Sequence, residues 1–291
     1  MKKSVYILIA ALIFSLILSS CSASGDDKEA TTNNTNDTEK TASNSISVDE
    51  KVLIERDGIR VTLKSIEKSY SATELKILIE NDSETDITVR PYDSTINGIM
   101  VDNMYSVQVG SGKKANDSIT FMNSALKAAG IEGIKDISFK LNVYVSEDWE
   151  TIFDTEQIEI AVNGNADYVQ TFDDVGVEIL NRDGFRIVAK DISYDESSAW
   201  GSELSLYIEN TSGEDITIYA ENVSVNGFMV SPMFYCDVLS GMKAYAQISF
   251  WKTELDENGI TEIENIELSF DIRYKVGWET ILLTNPIIIY F

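Results

Sequence analysis

Histidine is absent from the 291-residue chain, and cysteine and proline are scarce, with two and three residues. Because histidine is the commonest general base and zinc ligand, its absence excludes catalysis by serine–histidine–aspartate or cysteine–histidine sets. Basic residues are also few, since 23 Lys and Arg stand against 48 Asp and Glu and give a formal net charge of −25. Nucleic-acid phosphates are bound by clustered Lys and Arg, so this charge argues against a nucleic-acid partner.

Motifs that would bind a cofactor or carry out catalysis are also missing. The Gly-Ser-Gly-Lys stretch at 110–113 lacks the spacing of a phosphate-binding loop. Carboxylates are so numerous that no pair stands out as a glycosidase set. We therefore predict that the protein is not an enzyme and uses no cofactor.

The amino terminus has the pattern of an export signal. Lys2 and Lys3 precede a nearly unbroken apolar run at 5–18, which is too short for a comfortable membrane span. Leu-Ser-Ser-Cys follows at 18–21 and resembles the bacterial lipobox. The resemblance implies that the signal peptide 1–20 is removed and that Cys21 carries lipid. It places the mature protein on the extracytoplasmic face of the cell membrane, and an uncleaved signal anchor is the alternative.

The segment after the lipobox is polar. Residues 21–47 are rich in Ser, Thr, Asn, Asp, Glu and Lys and contain no aromatic residue. Such a segment buries too little apolar surface to offset its chain entropy. We predict that it is a disordered tether that begins at the lipidated Cys21.

The remainder of the chain contains an internal repeat. Residues 74–152 align without a gap on residues 203–281, and 30 of these 79 positions are identical. The shift is 129 there and 126 upstream, so the second repeat has three extra residues within 193–202. We predict two domains, the first repeat at 48–163 and the second repeat at 164–291, with a hinge at 163–166.

Local patterns predict strands and tight hairpins. Apolar residues alternate with polar ones, for example at 137–145 and 266–272. Asn97-Gly98 and Asn226-Gly227 predict type I′ hairpin turns, because this dipeptide accepts the positive φ angles that such turns require.

One short helix is expected in each repeat. Ser124 and Thr253 are the expected N-caps, Leu126 and Leu255 the docking residues, and Gly130 and Gly259 the stops.

About seven short strands in each repeat of about 115 residues predict an all-β chain with two tandem immunoglobulin-like antiparallel β-sandwiches. Another antiparallel sandwich remains an alternative at this point. The order of Glu-Asn and a polar turn, then Asn-Gly-Ile/Phe-Met-Val, then Ser-Gly and Lys-Ala, resembles uncharacterised immunoglobulin-like lipoproteins of Gram-positive, clostridia-type bacteria. The resemblance covers 48–291. It implies a surface β-sandwich module and supplies no catalytic residue.

Trp200 is the main candidate contact residue. It lies among the extra residues of the second repeat and has no obvious counterpart in the first. Because a large aromatic side chain is costly to expose on a loop, we expect Trp200 to dock against the first repeat. Contact with a partner is the alternative.

Four other groups of residues are expected to pack inside the fold. Trp149 and Trp278 share a Trp-Glu-Thr-Ile sequence, and partner contact is the alternative for both. Met104–Tyr105 and Met233–Tyr235 are expected to fill the interior, with a binding groove in each repeat as the alternative. Cys236 is expected to be a core residue rather than a reactive thiol.

Acidic turns at 81–86 and 173–174 suggest calcium, which takes six to eight oxygen ligands. The EF-hand spacing is absent, and solvated turns are the simpler interpretation.

From the lipobox, the duplicated domain and the missing catalytic motifs, we predict a non-catalytic binding, adhesion or structural module that is anchored to the membrane through lipid on Cys21. A protein partner is expected in the envelope or outside the cell. The alternative is a sensor or carrier for a small ligand or a cation such as calcium.

Overall fold

The computed structural model describes residues 45–103, 105–194 and 201–291, which are mostly strand. The elements of the first repeat are β1 (Ser45–Ile46), β2 (Lys51–Arg56), β3 (Ile59–Lys68), β4 (Ala72–Asn81), β5 (Ile87–Ile96), β6 (Ile99–Met100), β7 (Val107–Val109), β8 (Lys113–Met122), α1 (Asn123–Ala128), β9 (Asp136–Val145), β10 (Thr151–Asp154) and β11 (Ile158–Ala161).

The same order of elements returns in the second repeat. Its elements are β12 (Val177–Arg182), β13 (Phe185–Tyr194), β14 (Ser202–Asn210), β15 (Ile216–Val225), β16 (Phe228–Met229), β17 (Tyr235–Val238), β18 (Lys243–Phe250), α2 (Lys252–Glu257), β19 (Asn265–Tyr274), β20 (Thr280–Leu283) and β21 (Ile287–Tyr290). Each element from β2 to β11 therefore has a counterpart between β12 and β21.

The described strands form three sheets. The first has the order β1-β3-β4-β8, with β2 also on β3. The second has the order β10-β9-β5-β6-β18-β14-β13-β12, with β11 on β9 and β7 on β5. The third has the order β16-β15-β19-β20, with β17 on β15 and β21 on β19. Within the described residues, β6 and β18 form a parallel contact that joins strands of the two repeats into one sheet.

Each repeat has its own hydrophobic core. Side chains from β3, β4, β8, β5 and β9 form the first core, and those from β13, β14, β18, β15 and β19 form the second. The alternation in β9 shows the cause, because Ile137 and Phe139 are buried in the core while the intervening Ser138 lies on the other face. The prediction of an all-β, antiparallel, sandwich-like architecture is therefore confirmed.

The predicted hairpin turns are present. Asn97 and Gly98 have φ angles of 52° and 79°, and Asn226 and Gly227 have 51° and 83°. Both residues of each turn thus have the positive φ angles of a type I′ turn. These two-residue turns join β5 to β6 and β15 to β16.

The predicted helices are also present, and Leu126 and Leu255 are buried as expected. The predicted caps are wrong. Helix α1 begins after Met122 and α2 after Trp251, and neither end has a side-chain cap hydrogen bond. Ser124 and Thr253 lie inside the helices because β8 and β18 run almost directly into them.

The boundaries of the first repeat differ from the prediction. Ser45 and Ile46 form β1 against β3, so the end of the predicted disordered tether is a strand. Ile46 packs against the first core, so this end of the segment buries apolar surface. The predicted hinge at 163–166 is also fastened to the first repeat, since the amide of Asn163 donates to Ser47 O at 2.8 Å and Asn165 Nδ2 donates to Ile134 O at 2.9 Å.

An ion-pair cluster around the buried Asp93 also connects the repeats. Asp93 on β5 has its carboxylate 3.2 Å from Lys140 Nζ and 3.0 Å from Lys275 Nζ, and Lys275 belongs to the second repeat. Lys275 also pairs with Asp237. Burial lowers the pKa of Lys275, but its hydrogen bonds to Asp237 and Asp93 outweigh that effect, so the pKa is raised and the ammonium form is favoured.

Several predictions fall outside the described residues. These are lipid attachment at Cys21, the contact expected of Trp200, and the packing expected of Met104. Among the helices that the structure describes, none is both long and apolar enough to cross a membrane.

Candidate interaction surface

The outer face of the third sheet carries exposed apolar side chains from three strands. Tyr219 on β15 pairs with Tyr235 on β17 and with Asp271 on β19, and Asp271 pairs with Leu283 on β20. Because directly paired residues point to the same side of a sheet, this row crosses the whole face.

Strand β21 extends the same face. Ile288 pairs with Glu267, and Tyr290 pairs with Asn265. We call Tyr235, Leu283, Ile288 and Tyr290 the outer patch, and their exposed fractions range from 49% to 72%. Apolar patches of this kind on a soluble domain mark interaction sites more often than single exposed residues do.

The charges beneath the outer patch are paired with one another. The Asp271 carboxylate accepts hydrogen bonds from Arg273 and, at 3.0 Å, from Thr280 Oγ1. The hydrogen bond to Asp271 raises the pKa of Arg273. The Arg273 guanidinium also lies 5.4 Å from the centroid of the Tyr219 ring. A partner that covers this face would therefore meet charges that already have partners.

The first repeat has a polar surface at the same place. The counterparts of Tyr235, Leu283, Ile288 and Tyr290, at the shift of 129, are Ser106, Asp154, Glu159 and Ala161. There the Asp154 carboxylate accepts hydrogen bonds from Tyr92 Oη at 3.1 Å and from Asn142 Nδ2 at 2.9 Å. The outer patch is thus a property of the second repeat alone.

The two shared tryptophans are exposed, which contradicts the expectation that they pack inside. Trp149 is 73% exposed and Trp278 is 57% exposed. Both have left-handed φ angles, 66° and 64°, in the turns that leave β9 and β19. The Trp149 ring stacks on Tyr144 with a centroid distance of 5.2 Å. Both tryptophans therefore lie in tight turns outside the strand ladders.

The expectation for Met233–Tyr235 is wrong for two of the three residues. Phe234 packs against the second core and meets Phe270 edge-on at 6.4 Å, while Met233 and Tyr235 are exposed. Tyr105, the counterpart of Phe234, packs against the first core. Its hydroxyl is buried and has no hydrogen-bond partner in the described part of the chain.

Cys236 is half-buried and packs against the second core, as a core cysteine would. Desolvation raises the pKa of its thiol to about 12, and the neighbouring Asp237 acts in the same direction. The thiolate is therefore disfavoured, which argues for a packing role.

The acidic turn at 81–86 owes its form to asparagine. Asn81 is buried, and its Nδ2 donates to Thr85 O at 2.8 Å and to Val109 O at 2.9 Å. Its Oδ1 accepts from the Ser83 hydroxyl at 2.6 Å. Asn210 makes the same contacts in the second repeat, with Glu214 O and Val238 O both at 2.8 Å. We call each set an asparagine clamp.

Three carboxylates of the proposed calcium positions also have partners. Asp86 Oδ1 accepts the Ser111 amide at 2.8 Å. Asp173 lies 2.8 Å from Lys190 Nζ, and Asp174 lies 2.9 Å from Arg186. The hydrogen bond to Lys190 lowers the pKa of Asp173. Within the described ranges, no group of three or more acidic, histidine or cysteine side chains is arranged to hold a metal ion.

An open groove in the first repeat is the candidate for a small ligand. It lies between β2 and the β10–β11 segment, and Lys51, Arg56 and Glu156 are among its lining residues. Lys51 Nζ donates to Glu159 O at 3.2 Å, and the Arg56 guanidinium lies 4.9 Å from the centroid of the Phe153 ring. Both cations of the groove are thus engaged by the groove itself.

Sequence reasoning missed three of the four outer-patch residues: Leu283, Ile288 and Tyr290. The available signal was the difference between the repeats. Strand β21 is apolar at every position, whereas β11 reads Ile-Glu-Ile-Ala. A strand that is apolar on both faces, beside a duplicate with a polar outer position, indicates an additional contact.

No protein-family model matches the chain, and no curated protein matches it. Among solved structures, the chain is similar to the YadV chaperone, with 9% identity, a TM-score of 0.23, and coverage of 75% of this chain and 92% of that chain. It is similar to a protein of unknown function from Porphyromonas gingivalis W83 at 10% identity, a TM-score of 0.24, and coverage of 74% and 92%. It is also similar to a Salmonella enterica SafA pilin–SafB chaperone complex at 7% identity, a TM-score of 0.22, and coverage of 77% and 98%. At these TM-scores, the similarities assign no activity.

Proposed function

We propose that the protein is a lipid-anchored, extracytoplasmic lipoprotein whose two immunoglobulin-like β-sandwiches form a non-catalytic binding or adhesion module. Its partner is a protein of the envelope or the extracellular space, and nucleic acid is not a partner. The outer patch on the second repeat is the contact surface in this proposal. It needs neither a cofactor nor a catalytic group.

The outer patch is the observation that carries the proposal. The duplication provides an internal reference, because the same sheet position is polar in the first repeat and apolar in the second. Exposing Leu283, Ile288 and two tyrosines to water has no benefit for the isolated fold, since their counterparts show that polar or small residues fit there. A surface that a partner covers accounts for the difference.

The test is capture of partners by the compact unit Ser43–Phe291, which contains both cores. This unit is cross-linked in membrane and cell-wall extract, and bound proteins are identified by mass spectrometry. The triple variant Leu283→Asp, Ile288→Glu, Tyr290→Ala gives the second repeat the residues of the first. Val276→Asp is the matched control, because Val276 is exposed and lies outside the patch.

We expect one enriched protein that Val276→Asp retains and the triple variant loses. Capture that survives the triple variant would remove the outer patch from the proposal. Parallel captures with calcium and with chelator distinguish the protein-binding module from the cation sensor or carrier. Enrichment only with calcium would favour the cation alternative. A ligand that binds only the folded state raises the melting temperature, so a thermal-shift series with calcium and small metabolites tests that alternative directly.

The anchor has a separate test. Cells that express the full chain are labelled with an alkyne-bearing fatty acid, and the label on the protein is compared with that on Cys21→Ser. We expect the wild type to carry the label and to sediment with membranes. Equal labelling of Cys21→Ser would contradict lipid attachment at that residue.

A further inference from the structure

The β5–β6 hairpin of the first repeat docks onto the second repeat. The amide of Lys243, at the start of β18, donates to Gly98 O at 3.0 Å. Ile99 is the parallel neighbour of Lys243, and Met100 packs against the second core. The turn also fits closely, since a Cβ at Gly98 would lie 3.9 Å from Met242 Sδ. One repeat thus contributes a hairpin and the other a strand edge.

The same hairpin of the second repeat is uncovered. Phe228 is the counterpart of Ile99, and their exposed fractions are 48% and 0%. Met229 is exposed, whereas its counterpart Met100 is half-buried. Both hairpins have the same turn, with φ angles within a few degrees of each other. The second repeat therefore presents an apolar hairpin that has the form of a docking element.

Each repeat has such a strand edge, and among the described residues a hairpin of the other repeat covers only one of the two. Strand β8 is the counterpart of β18, and it ends the order of its sheet, with β4 as its paired neighbour among the described strands. The Lys114 side chain is 61% exposed, against 21% for its counterpart Lys243, whose Nζ also lies 4.6 Å from the centroid of the Phe172 ring. Ala115 is half-buried, whereas Ala244 is buried. The edge of β8 thus presents main-chain groups that a further hairpin or strand can use.

The two unused elements have opposite charge. Exposed Lys113 and Lys114 begin the free β8 edge, and Lys114 also pairs with Glu80 within the chain. The free hairpin is held by hydrogen bonds between Asn226 and the backbone of Glu262 and Glu264, and both of these glutamates are exposed. At the covered hairpin the corresponding residues are Gly133 and Lys135. The acidic residues are therefore specific to the free hairpin.

We propose that the Phe228–Met229 hairpin of one chain docks on the β8 edge of a second copy of this chain, as Ile99–Met100 docks on β18 within one chain. In this contact the amide of Lys114 donates to Gly227 O of the other copy. Glu262 and Glu264 lie near Lys113 and Lys114. The contact joins two different surfaces, so it is heterologous, and its repetition builds a head-to-tail chain of molecules or a closed ring.

The intermolecular contact should be weaker than the one within the chain. Lys113 and Asn116 stand on β8 where Met242 and Tyr245 stand on β18, so less apolar surface is covered. Charge then supplies a larger share of the attraction. Since the Debye length falls from about 10 Å at 0.1 M salt to about 3 Å at 1 M, self-association should decrease steeply with salt.

The experiment is sedimentation velocity of Ser43–Phe291 over a wide concentration range, with two complementary variants. The hairpin variant is Phe228→Glu, Met229→Glu, and the edge variant is Lys113→Glu, Lys114→Gln. Val276→Glu is the control at an exposed apolar position on a different loop. Melting temperatures close to that of the wild type confirm that each variant folds.

We expect the wild type and Val276→Glu to form larger species as concentration rises, and each variant alone to remain monomeric. An equal mixture of the hairpin variant and the edge variant should form a 1:1 dimer, because together they retain one intact interface. High salt should dissolve all of these species. A wild type that stays monomeric throughout, or a mixture that does not associate, would overturn the proposal.

This inference does not depend on the outer patch, and the two can fail separately. The hairpin and edge variants leave Leu283, Ile288 and Tyr290 unchanged, so they should retain the partner captured by the wild type. The triple patch variant should in turn keep its self-association. Loss of both properties in every variant would show that the variants misfold, which the melting temperatures detect.

Discussion

The two repeats have the same strands, turns and clamps, yet they differ in which surfaces they leave to solvent. Positions that set the backbone are shared, such as the hairpin asparagines Asn97 and Asn226 and the clamp asparagines Asn81 and Asn210. Positions on the outer sheet face are not shared, as Asp154 and Leu283 show. A small number of turn and core residues therefore fix this fold and leave its faces free to diverge.

The largest expected effect comes from removing an asparagine clamp. Asn81→Ala leaves the buried carbonyl Val109 O without its donor, whereas the exposed Thr85 O loses Asn81 and keeps the Ser83 hydroxyl at 3.2 Å. At about 1–3 kcal/mol for the buried unsatisfied carbonyl and about 0.5–1.5 kcal/mol for the lost hydrogen bond to Thr85 O, the free energy of unfolding should fall by about 1.5–4.5 kcal/mol. Asn210→Ala should have the same effect on the second repeat. Urea unfolding followed by tryptophan fluorescence measures both.

Asn116→Ala is the control for the clamps, because Asn116 is an exposed asparagine on β8. It should change the free energy of unfolding by less than about 0.5 kcal/mol. If Asn81→Ala strongly lowers the free energy of unfolding and Asn210→Ala does not, the two clamps do not have the same role in the two repeats.

The next largest effect concerns the ion-pair cluster between the repeats. Asp93→Asn gives the first repeat the residue of the second, since Asn222 is the counterpart and has the same φ angle of 52°. The change keeps the shape and removes the charge that faces Lys140 and Lys275. The loss should be about 1.5–3 kcal/mol, the range for hydrogen bonds to charged groups.

The reverse change, Asn222→Asp, tests whether the effect comes from the residue type in this turn or from the contact that it makes with the other repeat. Asn222 is exposed, so the added charge stays hydrated and stability should change by less than about 0.5 kcal/mol. Thermal unfolding of both variants at neutral pH gives the comparison. Equal losses would mean that the cost comes from the backbone turn and not from the contact between repeats.

A smaller effect, in the stabilising direction, is expected at Tyr105. Its hydroxyl is buried without a hydrogen-bond partner in the described part of the chain, and Phe234 occupies the same position in the second repeat. Tyr105→Phe removes a desolvated group at no cost in packing, so it should stabilise the first repeat by about 1 kcal/mol. Phe234→Tyr should destabilise the second repeat. A loss of stability in Tyr105→Phe would show that the hydroxyl does have a partner.

Local features of this fold could be predicted from sequence, and contacts between distant segments could not. Asn-Gly dipeptides and period-two alternation act over a few residues, so they predicted the hairpins and strands correctly. The helix caps were wrong because each helix follows a strand almost directly, which leaves no room for a separate cap residue at Ser124 or Thr253.

The exposed and docking surfaces were harder to predict from the sequence than the strands and turns, for a physical reason. An apolar residue on a strand looks the same in sequence whether it faces the core or a partner, so the strand pattern alone does not mark Leu283 and Ile288 as exposed. A residue shared by both repeats, such as Trp149 and Trp278, indicates the same environment in both copies but not whether that environment is the core. The docking of β6 on β18 joins segments about 140 residues apart, and no short pattern reports it.

The smallest effect is expected at the shared tryptophans, where the cost of a left-handed φ angle opposes the gain from aromatic stacking. A left-handed φ costs a residue other than glycine about 1–2 kcal/mol, and asparagine tolerates it better. The aromatic stack of Trp149 on Tyr144 is worth about 0.5–1.5 kcal/mol, and Trp278 makes no such stack among the described residues. Trp149→Asn should therefore be nearly neutral, and Trp278→Asn should stabilise the fold by about 1 kcal/mol. Thermal unfolding of both, beside the phenylalanine variants that keep the backbone cost, distinguishes strain from stacking, and a loss in both asparagine variants would mean that each indole makes a contact that the fold needs.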